Sequence, residues 1–181
     1  MFRLFLIFFF TILISNSKAN NRDKIIKNLN DTLNLSFQFE QNINGKIESG
    51  NCTIEYPKKM FCEYEQKNKV VVSNGKSLVI KSSSSYYRYP LDKTPLNFIL
   101  DKNFLLKKIS GLNEEIINNS LVKFTIKENN QSIEIFFDIN NHNLIGWQTK
   151  DIYQNIAVTL LYSVKSNQIV DEKIFKTPLQ N

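Results

Sequence analysis

Apolar positions along the chain change period twice after an opening apolar stretch, and those changes outline its elements. Leu4 to Ile14 is an almost unbroken apolar run interrupted only by Thr11. Residues 21–34 then read as a helix, with Asn20 or Asn21 as cap and Ile25, Ile26, Leu29 and Leu33 at three- and four-residue spacings on one face. From Leu35 to Gln41 the period becomes two, which marks a strand with one buried face. Further strands are predicted at 46–56, 59–65, 69–73 and 76–81. Pro57-Lys58-Lys59 and Asn74-Gly75 supply two of the turns between them, Asn and Gly both tolerating positive φ. Ser82 to Ser85 is a loop, and Tyr86 to Pro90 is one more strand.

The middle of the chain returns to helical spacing. Thr94 before Pro95 is a helix-start signature, and apolar residues from Leu96 to Ile109 continue it as far as Gly111. This segment is more apolar than a surface helix requires. Strands then resume at 121–127, 131–138, 143–152 and 155–164, separated by turns at 128–130 and 138–142. No internal repeat is visible. Short strands joined by hairpin turns, with one helical insert, predict a mainly β (α+β) fold built on a highly curved sheet or open barrel.

The first residues assign a compartment. Met1-Phe2-Arg3 gives a short cationic start, the apolar run follows, and Ser17 and Ala19 are small residues before a cleavage point. That is the layout of a secretory signal peptide, and its core is too short to span a bilayer stably. Cleavage is expected after Ala19, leaving residues 20–181 as one soluble domain with a single core. No Cys lies near the cut to carry a lipid. The formal charge of +6 falls by two when Arg3 and Lys18 are removed, and the remaining lysines are scattered among acidic residues. A nucleic-acid protein would show a basic stripe instead. Asn-x-Ser/Thr triplets such as Asn30-Asp31-Thr32 follow from a composition rich in Asn.

Cys52 and Cys62 are the only cysteines. They lie nearly equidistant from the Pro57 turn, so an exported protein would place them opposite each other as a disulfide. With them, the single His142 makes too few ligands for a metal site. Catalytic constellations are equally thin. A triad would depend on His142 in an Asn-rich turn, five glycines leave no phosphate loop, and no nucleophile elbow or zinc-protease helix appears. Glu114 and Glu115 read as solvated carboxylates. The expectation is therefore no catalysis, no cofactor and no metal.

The order of these segments resembles the outer-membrane lipoprotein carrier (LolA) family. Leu35 to Gln41 looks like its first strand with an F-x-x-x-Q segment, and Gly50, Pro57 and Tyr64 punctuate a similar second hairpin. Val70 to Leu78 resembles its apolar strand, Gly turn and next strand. Thr94 to Leu100 is similar to its central helix, Asp138 to Asn143 to its acidic turn, and Phe175 to Pro178 to its C-terminal Phe-x-x-Pro. The resemblance implies an unclosed antiparallel half-barrel with an N-terminal helix and a helical lid, here Leu96–Leu106, over the concave face. It implies a monomeric periplasmic chaperone that takes acylated lipoproteins from an inner-membrane ABC-type release complex and passes them to an outer-membrane receptor. Family members commonly carry an Arg before the hairpin proline that helps hold the lid; Tyr56 stands there in this chain, with one hydroxyl to offer. With the inner face set by Ile54 and Tyr56, the expected acyl-contacting set is Phe37, Phe39, Ile54, Tyr56, Met60, Tyr64, Leu96, Phe98, Ile99 and Trp147. An alternative reading uses the same half-barrel as an envelope sensor or interaction domain, binding a partner protein or another lipid, with a packed, dry interior.

Overall fold

The computed structural model describes residues 20–66, 68–128, 131–150 and 154–180. The expected signal segment, 1–19, and the end of the predicted 143–152 strand lie outside them. Eleven strands form one antiparallel sheet that never closes. In chain order they are β1 (Asn34–Ile43), β2 (Lys46–Glu55), β3 (Lys59–Tyr64), β4 (Val70–Asn74), β5 (Ser77–Lys81), β6 (Tyr86–Pro90), β7 (Glu115–Ile117), β8 (Leu121–Glu128), β9 (Gln131–Asp138), β10 (Leu144–Lys150) and β11 (Ile156–Ser166). Their order across the sheet is β6-β5-β4-β3-β2-β1-β11-β10-β9-β8-β7. The two free edges, β6 and β7, are thus consecutive in the chain. The only segment between them is the apolar helical insert, which topology places on the open side of the half-barrel.

That insert is two helices, where the sequence predicts one. α2 (Leu96–Leu100) ends at Asp101, whose extended backbone breaks the run and whose carboxylate accepts from the Phe104 N–H to cap α3 (Lys102–Ser110). Thr94 does not serve as the expected cap. Its hydroxyl instead donates to the Leu91 carbonyl and closes a 3₁₀ turn at Leu91–Lys93. The N-terminal helix α1 (Asn21–Asp31) is capped by Asn20 and buries Ile25 and Leu29. Leu33 falls beyond its end and is exposed, because the helix stops three residues before the predicted boundary. The three-residue β7 was not predicted; it pairs only with β8, and two of its three residues are exposed.

The alternation in β1 is reproduced, with Leu35, Phe37 and Phe39 buried and Gln38 and Glu40 exposed. Antiparallel register carries these positions across neighbouring strands in rows. One concave row is Leu35, Ile54, Met60, Ser73, Leu78 and Tyr89; the next is Phe37, Cys52, Cys62, Val71, Ile80 and Tyr87. A third row holds Leu161, Phe39, Gly50 and Tyr64. Gly50 is required by close approach, since a Cβ there would lie 2.1 Å from the Glu63 carbonyl oxygen. At the β4–β5 turn Gly75 takes φ +90°, while the Asn74 side chain accepts from the N–H groups of Lys76 and Ser77.

The chain ends on the outer face. A 3₁₀ turn at Glu172–Phe175 packs on β3 and β4, with Phe175 buried, Lys59 5.8 Å from its ring centroid and Lys59 paired with Glu172. Pro178 and Leu179 then accept hydrogen bonds from Tyr86 and Lys81.

Candidate functional site

Residues of the concave face and of the helical insert belong to one apolar cluster. From the sheet it takes Phe37, Phe39, Ile54, Met60, Phe124 and Trp147, and from the insert Phe98, Ile99, Leu100, Leu105 and Ile109, all buried. Leu96, Phe104, Tyr56 and Tyr64 pack against it while partly exposed. Phe39 meets Tyr64 edge to face with ring centroids 4.9 Å apart, and Phe98 lies 4.9 Å from Phe104 inside the lid. What remains open between lid and sheet is a cavity of about 40 Å³. Its walls include Phe37, Phe39, Met60, Tyr64, Leu96 and Trp147 from the expected set. Ile54, Phe98, Ile99 and Tyr56 are packed in the surrounding core and do not line it.

Cys52 and Cys62 pair directly across β2 and β3 and are joined by a disulfide that lines the same cavity. Such bonds form and persist in oxidising compartments. A larger hollow of about 420 Å³ lies on the outer face beside the C-terminal segment, but its walls include Ser36, Gln38, Asn51, Thr53 and Glu63. Phe61 and Ile174 also line it, but the concave cavity alone is walled by the apolar cluster that joins sheet and insert.

The lid is moored by few polar contacts, one of them the ion pair of Lys108 in α3 with Glu128 at the end of β8. The Lys58 N–H, held at φ +68° in the β2–β3 turn, donates to the Leu100 carbonyl at 2.8 Å, and its ammonium pairs with Asp101 at 3.1 Å. Lys102 donates from the lid to the carbonyls of Asn30 and Thr32 at the end of α1, at 3.0 and 2.9 Å. Beyond the lid, Glu114 accepts from Asn21 and from the Arg22 N–H at the start of α1. Glu114 is therefore engaged, not simply solvated, and Glu115 pairs with Lys123. Tyr56 meets the insert through its ring, with the Lys102 ammonium 5.9 Å from the ring centroid. Its hydroxyl is buried with no hydrogen-bond partner, and burial pushes the phenol far above its usual pKa. The polar contacts of this turn with the insert fall two residues later, on Lys58.

One row of the concave face, beyond that of Phe39, is polar on β11, β1 and β2, and the apolar pattern of the sequence did not mark it. Thr159, Gln41 and Glu48 form a row across β11, β1 and β2, with Trp147 of β10 opposite Thr159. Counting back by twos from Ile54 reaches Glu48, so the alternation of β2 was the signal for it. The Gln41 amide donates to Thr159 Oγ1 at 3.1 Å and accepts from the Tyr64 hydroxyl at 3.2 Å. Glu48 pairs with Lys46 and Lys69, and the Lys69 ammonium sits 3.6 Å from the Tyr64 ring centroid. Burial alone would raise the Glu48 pKa, but hydrogen bonds and charge from Lys46 and Lys69 outweigh it and hold the carboxyl below its usual range. No group of three or more metal-ligating side chains occurs among the described residues.

A family model described as outer membrane lipoprotein carrier protein LolA matches residues 30–178. The chain belongs to the LolA family. No curated protein matches the sequence. Among solved structures, an uncharacterized conserved protein from Thermus thermophilus aligns with TM-score 0.51 and 9% identity, covering 87% of this chain and 92% of its own. A LolA superfamily protein from Nitrosomonas europaea aligns with TM-score 0.44 and 9% identity over 88% of this chain and 99% of that one. MucB aligns with TM-score 0.49 and 8% identity over 87% of this chain and 62% of that one. At these identities the likeness concerns the fold, and the LolA half-barrel is the fold that the eleven strands form.

Proposed function

We propose that the chain is a periplasmic carrier that shields the acyl chains of lipoproteins between an inner-membrane ABC-type release complex and an outer-membrane receptor. The observation that carries this reading is the lid. An apolar insert joining the two free edges of an open sheet buries the same concave residues that an acyl chain would contact. Each methylene kept from water stabilises the bound state by about 0.8 kcal/mol, so a lipid anchor cannot cross the periplasm uncovered. A surface that apolar must also be covered when empty, and Leu96 to Ile109 do so. Release then follows from competition, because lid and cargo cannot occupy the concave face together. Family membership and a disulfide suited to an oxidising compartment support the same reading, with cleavage after Ala19 as its first step. No covalent step, cofactor or metal enters it.

The test is titration of the purified protein with a fluorescent acyl probe, paired with release of lipoprotein from inner-membrane vesicles. Saturable binding and release that requires the protein are expected. Absence of both would remove the carrier role. The alternative, a half-barrel that binds a partner protein, draws on the free β6 edge, where Tyr87 and Tyr89 stack with ring centroids 6.4 Å apart. It predicts protein binding with no uptake of the probe.

A further inference from the structure

The concave rows of Leu35, Phe37 and Phe39 are essentially apolar, and the row of Gln41 that follows them is not. Thr159 is 3% exposed and Glu48 7% exposed. Polar groups at that depth are costly unless they are hydrogen-bonded, and these are bonded to one another. Counting donors and acceptors shows what the row has left to give. Both carboxylate oxygens of Glu48 are taken, Oε1 by Lys46 and Oε2 by Lys69. Gln41 uses one amide proton on Thr159, and its oxygen accepts from Tyr64. The second amide proton of Gln41 and the hydroxyl proton of Thr159 remain, while the Lys69 ammonium is engaged by Glu48 and the Tyr64 ring. A second lone pair also remains on each of Gln41 Oε1, Thr159 Oγ1 and the Glu48 oxygens, so the row can donate as well as accept.

The charge of the row is already compensated where it is buried, since Lys69 sits on Glu48 while Lys46 is largely in solvent. An uncharged acceptor can take these donors without bringing a second charge to a pair that is already balanced. Gln41 and Thr159 line the cavity together with Trp147, Phe39 and Tyr64, so their donors stand beside the space an alkyl chain would occupy.

We infer that Gln41 and Thr159 form a subsite for the ester or amide carbonyls that link acyl chains to their polar head. This rests on the carrier reading and adds the chemical class of group recognised. Carbonyls of this kind occur in the diacylglyceryl group of a lipoprotein and in glycerolipids, and the subsite takes either by the same bonds.

The decisive comparison is between two dialkyl glycerol lipopeptides of equal chain length, one ester-linked and one ether-linked, titrated against the intact protein. The ester should bind about tenfold tighter, the loss expected when two or so neutral hydrogen bonds go unmade. A Gln41→Leu, Thr159→Val protein, checked for folding by circular dichroism, should bind both ligands alike. Equal affinity for ester and ether in the unaltered protein overturns the subsite and leaves the carrier reading standing; binding of neither overturns the carrier reading itself. A third titration, with an ester-linked phosphatidylglycerol, identifies the source. Preference for the lipopeptide assigns the subsite to lipoproteins, and preference for the phospholipid assigns it to glycerolipids.

Discussion

Tyr56 carries a hydroxyl into the core with nothing to bond, which costs free energy that an aromatic ring without it would not. Tyr56→Phe should therefore raise stability by about 1 kcal/mol in urea unfolding. A loss of stability instead would mean that the hydroxyl has a partner in solution. Glu48 works in the opposite sense. Its folded pKa is depressed, so its stabilising contribution is present above the unfolded glutamate value and is lost as pH falls through the lower folded one. Glu48→Gln should cost roughly 2 kcal/mol at neutral pH, and the deficit should shrink below about pH 4.3, where the unfolded carboxyl takes its proton. A deficit independent of pH would show that packing, not charge, holds this residue. Asp101 separates two roles in one side chain. Asp101→Asn keeps an acceptor for the Phe104 N–H and loses only the half-exposed pair with Lys58, a change under about 1 kcal/mol. Asp101→Ala loses the cap as well, costing about 1 kcal/mol more.

At the scale of elements, the β2–β3 hairpin connects the sheet to both the lid and the redox state of the protein. Its disulfide closes a short loop, the two cysteines lying 10 positions apart. In the chain-entropy model such a closure contributes about 2–3 kcal/mol, so reduction should lower the unfolding free energy by that amount. A smaller shift would indicate that the cross-strand pair alone keeps the hairpin compact when unfolded. This hairpin was also the most legible part of the sequence. Ile54, Met60 and Tyr64 alternate on either side of a proline turn, and period two plus a fixed turn sets the facing pairs. What the pattern could not reveal depended on contacts distant in sequence. Asp101 looks like one polar residue within an apolar helical run until its backbone is seen to break it. Lys58 reads as a turn lysine, and only the position of Leu100 and Asp101 in space joins it to the insert. The alternation of β2 places Glu48 on the concave parity, but its pairing with Lys69 joins residues 21 positions apart. The three residues of β7 form a strand only because β8 offers an edge to pair with.

For the whole molecule, lid and cargo compete for one surface, and this gives mutations on the two sides opposite signatures. If acyl chains bind only the open form, apparent affinity equals intrinsic affinity multiplied by the open fraction. Ile99 is fully buried in the lid, and its truncation to alanine removes closed-state packing worth about 2–5 kcal/mol. Even 2 kcal/mol raises a small open fraction more than tenfold, since 1.4 kcal/mol is a factor of ten in an equilibrium. Ile99→Ala should therefore unfold more easily yet bind the acyl probe more tightly. Phe39 lies on the concave sheet, where it packs on Tyr64 in the closed form and would face the cargo in the open one. Phe39→Ala loses stability in the same range but also loses cargo contact, so its affinity should not rise. Paired measurements of unfolding free energy and probe affinity on these two variants decide the matter. Affinity that falls with stability in both would show that Ile99 supports the binding surface and does not compete for it, and the helical insert would then be a fixed wall of the half-barrel.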